Sequence, residues 1–164
     1  MLSYMITNRA LLTGILPLMM ICFWACSKND IDDEPPVIIM NEPHHFPHAC
    51  DTVYVGETFL FRATFTDNRE LGAYSIDIHH NFDHHSHSTD YDECDLDPTK
   101  TPTDGVFLFI QTFTIPDKQT TYDAEVPIEV PENADIGDYH LFVALTDKEG
   151  WQTIKGFGIK IAER

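Results

Sequence analysis

Positive charge is scarce in this chain. Ten Lys and Arg residues stand against 27 Asp and Glu, a formal net charge of −17 over 164 residues. So acidic a surface repels nucleic acid and anionic membranes, and no Lys/Arg-rich stripe offsets it, so nucleic-acid binding is excluded. No segment carries a 3.6-residue apolar period of helical length, which argues against an α-helical domain. Catalytic motifs are missing too: there is no nucleophile elbow, no phosphate-binding glycine loop and no His-Glu-x-x-His pair. A metal hydrolase would need a general base beside an open coordination position; Asp77 or Asp83 could serve, but nothing selects them. The chain reads as a non-enzyme.

Long apolar runs reduce to one. Arg9 precedes a mostly apolar run from Ala10 to Ala25 that Gly14 and Pro17 interrupt. A membrane span needs about 20 apolar residues, so the run reads as the core of a secretory signal. An uncleaved N-terminal anchor is the alternative. Ala25-Cys26 closes the run, and Ser27-Lys28-Asn29-Asp30-Ile31-Asp32-Asp33-Glu34 follows. This junction resembles a bacterial lipoprotein signal, with Phe23 standing where that family usually carries Leu or a similar aliphatic residue. The resemblance implies that Cys26 is lipidated and becomes the first mature residue. The Lys followed by acidic residues also resembles the export signal of surface lipoproteins in Bacteroidetes-type bacteria. That implies a lipid anchor at the outer membrane or cell surface, with a surface or outer-membrane protein as partner.

Residues 1–25 are thus read as signal peptide, 26–35 as an acidic tether and 36–164 as one domain. Loss of Arg9 with the signal takes the formal charge from −17 to −18. The domain alternates with a period of two. Val37 to Met40 start a first strand after Pro35-Pro36. Phe59, Phe61, Ala63 and Phe65 share one face, and so do Tyr74, Ile76 and Ile78. Val106 to Ile115 reads as a long strand, followed by strands around Tyr122–Val130, Tyr139–Leu145 and Trp151–Ala162. Gly156 and Gly158 in the last strand suggest a bulge or close packing. About seven strands with turn signals such as Thr103-Asp104-Gly105 and Lys148-Glu149-Gly150 predict an all-β fold, a single immunoglobulin-like β-sandwich. The stretches Glu34–Ile38 and Gly137–Gly150 resemble bacterial immunoglobulin-like and cadherin-like modules. With the signal, the whole chain resembles a Bacteroidetes-type surface lipoprotein carrying a histidine-rich domain of unknown function.

What the chain does have is histidine. Eight of its nine histidines fall in two stretches, each with a cysteine just beyond: His44, His45 and His48 before Cys50, and His79, His80, His84, His85 and His87 before Cys94. Neutral imidazole is the commonest protein ligand for zinc, copper and nickel. The strand map puts His79 at a strand end, on the face of Asp77, and the other seven in loops, where ligands are free to converge. The expected ligands are His79, His85 and His87 with at least one of His44, His45 and His48. Asp77 or Asp83 would be a further ligand or would orient an imidazole by accepting its N–H. His140 alternates out of its strand's apolar face and reads as exposed.

Cys50 and Cys94 have three readings: a disulfide, favoured by an oxidising compartment; two thiolate ligands; or free thiols. A bridge would close a loop of about 45 residues, contribute about 4 kcal/mol and pin the two histidine loops together. The acidic residues from Asp90 to Asp97 lack the mid-loop glycine of a helix-loop-helix calcium site and read as a solvated loop. Asp67-Asn68-Arg69-Glu70 and the acidic linker resemble cadherin calcium ligands, with a plain exposed acidic surface as the other reading. The chain is therefore expected to be a lipid-anchored, extracytoplasmic protein that binds zinc or copper for acquisition, buffering or delivery. The competing expectation is a structural or adhesive module whose histidines are incidental.

Overall fold

Period-two alternation becomes eight strands in the computed structural model, which describes residues 31–85 and 94–164. They are β1 (Val37–Ile39), β2 (Thr52–Tyr54), β3 (Thr58–Thr66), β4 (Leu71–His80), β5 (Phe109–Thr114), β6 (Thr121–Glu129), β7 (Gly137–Asp147) and β8 (Gln152–Ala162). Two sheets form, β1-β3-β6 and β2-β8-β7-β4-β5, antiparallel except where β2 runs parallel to β8. Asp32–Arg164 make one unit, an all-β sandwich. Each sheet turns one apolar face inward. Phe61, Ala63 and Phe65 of β3, with Ala124, Val126 and Ile128 of β6, meet Tyr74, Ile76, Ile78, Leu141, Val143 and Leu145 of the larger sheet. All are buried, and each large apolar side chain so enclosed contributes about 1.5–3 kcal/mol.

Two differences from the sequence reading have local causes. The expected strand Val106–Ile115 shrinks to Phe109–Thr114 because Phe107 leaves the ladder: its N–H donates to the Tyr139 hydroxyl, and its ring is buried. The eighth strand, β2, is three residues long, too short for alternation to register in the sequence.

The larger sheet fixes the outer-face rows that matter next. His79 on β4 pairs with His140 on β7, which pairs with Gly158 on β8; one row along, Asp77 pairs with Phe142, which pairs with Gly156. The β7–β8 register runs unbroken, so the two glycines serve close packing rather than a bulge. A Cβ on Gly156 would meet the Phe142 ring at 2.1 Å, and one on Gly158 would meet Cys94 Sγ at 3.2 Å. The chain that follows β4 lies over this glycine-lined face.

Candidate metal centre

Cys50 and Cys94 form a disulfide with Cα atoms 5.4 Å apart. Cys50 N–H donates to the Gly158 carbonyl at 2.8 Å, and Cys94 Sγ sits over the same glycine. The bridge therefore fastens the segment after β4 onto β8, next in register to His140. That fastening covers the outer face of β7, and it overturns one expectation. His140 is not an exposed strand residue but only 4% exposed. The alternation was read correctly; the face it points to is covered because β7 lies inside the sheet and His85 and Cys94 of the β4–β5 connection pack there.

His79, His140 and His85 meet there. Each offers a ring nitrogen, and the three nitrogens lie within 4.8 Å of one another. The His79 and His85 rings stack at 5.6 Å between centroids, and the His140 ring stands edge-on to both, at 5.6 and 5.1 Å. The Phe142 ring packs parallel to His79 at 5.7 Å, walling one side. Two carboxylates orient the rings. Asp77 Oδ1 lies 2.7 Å from His79 Nδ1 and Asp83 Oδ1 lies 2.6 Å from His85 Nδ1. A carboxylate only accepts, so each Nδ1 carries a proton. The His85 N–H beside Asp83 holds that carboxyl below the usual carboxylate range, which keeps it an acceptor.

The remaining sequence candidates divide. His80, at the end of β4, packs on Phe82 at 5.0 Å and lies 6.3 Å from His85, ring to ring, outside the converging group. His84 donates from Nε2 to the Asp97 carbonyl at 2.8 Å, clamping the connection to itself. The first cluster forms its own network. The His45 Nδ1 accepts from Glu42 N–H at 3.2 Å, so its Nε2–H donates to Thr64 Oγ1 at 3.0 Å; that hydroxyl donates on to Asp123 at 2.7 Å. Burial pushes the His45 imidazole below its ordinary pKa. His48 donates from Nε2 to the Glu42 carbonyl at 3.1 Å, and the His44 ring lies 4.2 Å from that of His45. None of His44, His45 and His48 joins the converging group among the described residues. His87 and Cys26 lie outside the described residues.

The site is thus one strand pair plus one loop histidine, with β7 supplying His140, which sequence reasoning set aside as exposed. A signal was present: His140 stands opposite His79 if Ile78 and Leu141 are paired across the sheet, as they are. Sequence alone does not give that register.

Among described residues, no helix is long and apolar enough to cross a membrane. No curated protein matches the chain. Among solved structures, the sporulation control protein Spo0M of Bacillus subtilis is similar at 12% identity and a TM-score of 0.41, over 79% of this chain. The match spans 49% of the Spo0M chain, about half its length. The family model of DUF4625, a domain of unknown function, matches residues 24–162, and the chain belongs to that family.

Proposed function

We propose that this is a lipid-anchored, extracytoplasmic protein of Bacteroidetes surface-lipoprotein type that binds zinc, or copper, for acquisition, buffering or delivery. One observation carries the reading: three imidazoles from β4, β7 and the loop after β4 offer nitrogens within 4.8 Å of each other, and two of them are oriented by carboxylates. Zinc is held by His nitrogens at about 2.0–2.1 Å, and oriented Nδ1–H groups are the usual support for Nε2 ligation. Among the described residues three donors converge, one short of zinc's tetrahedral set. Side-chain exposures of 23% for His79 and 34% for His85 leave the triad reachable from solvent. A disulfide and the Cys26 junction agree with a compartment outside the cytoplasm.

The test is elemental analysis of protein purified without an affinity tag, followed by zinc and copper titration of metal-free protein. Close to one metal per chain is expected. Asp83→Asn should weaken binding by about 10–100-fold, the usual cost of losing the acceptor behind a ligating His. His85→Ala should weaken it at least as much, without unfolding a domain whose core it does not join. Parent protein that binds neither metal below about 100 μM, some 5.5 kcal/mol, overturns the reading and leaves a structural module.

A further inference from the structure

A second cluster of ligand-type atoms occupies the end of the sandwich where the chain enters β1, and its chemistry is different. Asp32 lies five residues ahead of β1, Asp67 directly follows β3, Asp147 ends β7 and Glu149 lies in the β7–β8 turn. One carboxylate oxygen from each of Asp32, Asp147 and Glu149 lies within 4.8 Å of the other two. Asp32 and Asp147 are 5% and 4% exposed.

Each aspartate is held by one oxygen only. Asp32 Oδ1 accepts from Glu34 N–H at 3.2 Å and from the Asn68 amide at 2.9 Å. Asp147 Oδ1 accepts from Gly150 N–H at 2.6 Å and Trp151 N–H at 2.8 Å, and Asp67 Oδ1 from Arg69 N–H at 2.7 Å. The other oxygen, Oδ2, of all three is buried without a hydrogen-bond partner. Leaving one such oxygen buried is costly; grouping several sets like charges against one another as well. Nearby cations do not resolve this. Arg69 reaches Glu149 at 3.9 Å on the exposed side, while Lys148 turns away to Asp117 at 2.8 Å. Among the described residues no cationic side chain pairs with Asp32 or Asp147.

A bound cation resolves it. Every donor is a hard carboxylate oxygen, with no imidazole or thiolate, so the set selects against zinc and copper. Calcium takes ligands at about 2.3–2.6 Å, so oxygens across the ion stand up to about 5 Å apart, and it tolerates irregular geometry; magnesium holds a tight octahedron at about 2.0–2.1 Å. Ligands drawn from two separate segments, the lead into β1 and the β7–β8 turn, suit calcium's tolerance of irregular geometry better than a tight octahedron. The scaffold is already braced, because Trp151 Nε1–H donates to the Asp32 carbonyl at 2.9 Å. We propose that Asp32, Asp147 and Glu149 form a calcium site that fixes the segment leading into β1 against the β7–β8 turn.

Trp151 supplies a local probe. Full-length, metal-stripped protein is titrated with terbium(III), a luminescent calcium substitute, exciting tryptophan, and then back-titrated with calcium chloride. Sensitised emission that calcium displaces is expected. Glu149→Gln, which removes an exposed carboxylate with no turn bond, should weaken calcium displacement by about tenfold, and Asp32→Asn by as much or more. Should Asp32→Asn fail to fold, Glu149→Gln alone decides. The proposal is overturned if the parent shows no calcium-reversible emission up to about 10 mM, above the weak end of extracellular calcium modules. Unchanged displacement in folded Glu149→Gln, or equal displacement by magnesium, overturns it too.

Discussion

At His45 both ring nitrogens are committed, one to a backbone N–H and one to a hydroxyl, and the ring is 2% exposed. At His79 and His85 a carboxylate meets Nδ1, and one nitrogen of each ring converges with one of His140. Identical side chains are thus divided between bracing and the converging group by what their Nδ1 atoms face, which composition cannot reveal. The difference predicts a pH effect. Burial depresses the native pKa of His45 below the 6.5 of the unfolded chain. Between those two values the unfolded state binds the extra proton. The stability held by neutral His45 is therefore complete above about 6.5 and is lost as pH falls through the depressed native value. Urea unfolding of metal-free protein should show less stability near pH 5.5 than near pH 7.5, and His45→Gln should flatten that dependence. An equal pH slope in the variant would mean that other groups carry it.

At the scale of strands, the inward faces were legible because each reads as a clean alternation: Phe61-Ala63-Phe65, Tyr74-Ile76-Ile78 and Leu141-Val143-Leu145 are all core. Outward faces were not. Whether an outward residue meets water depends on what crosses the sheet, and the connection over β7 is placed by a bond between Cys50 and Cys94, 44 residues apart. His140 went unrecognised for that reason, and Gly156 and Gly158 suggested only a bulge or close packing. The expectation that both histidine loops would feed one site is not met among the described residues, on the same point. The bridge fastens Cys50 beside Gly158, yet the short bonds of His45 and His48 turn those rings toward Thr64 and Glu42. Likewise, the acidic linker and Asp67 drew notice in the sequence, but Asp147 and Glu149 read only as a turn until the β7–β8 ladder set them beside Asp32.

The bridge joins stability to the site, so its removal should affect both. Closing a loop of this length is worth about 4 kcal/mol in the chain-entropy account, and measured losses commonly run about 2–5 kcal/mol. Cys50→Ser/Cys94→Ser should therefore unfold at lower denaturant, by about 2–4 kcal/mol. It should also bind zinc more weakly, because His85 would no longer be carried on a fastened segment. Denaturant titration and zinc titration of the same variant separate the two effects. A stability loss with zinc affinity intact would show that β4 and the start of the connection position His85 unaided.

For the whole molecule, the two clusters divide by chemistry: imidazoles on an outer sheet face, carboxylates at the end where the chain enters. An acidic chain of net charge −17 draws cations toward both, within a screening length of about 8–10 Å. If the clusters bind metal as proposed, they are useful where metal arrives from outside, and the N-terminal sequence bears on that. If Ala25-Cys26 is a lipoprotein junction, cleavage exposes Cys26 for acylation, and the acidic stretch from Asp30 to Glu34 keeps the domain off an anionic surface by charge repulsion. Cys26→Ser should then leave the protein either soluble after cleavage by another route or stalled as uncleaved precursor. Membrane fractionation with intact-mass measurement distinguishes the outcomes. Parent protein should sediment with membranes and carry the mass of a diacylglyceryl group on a chain beginning at Cys26. A Cys26→Ser protein that is cleaved at the same bond and still sediments with membranes would mean that attachment comes from a protein partner rather than from lipid.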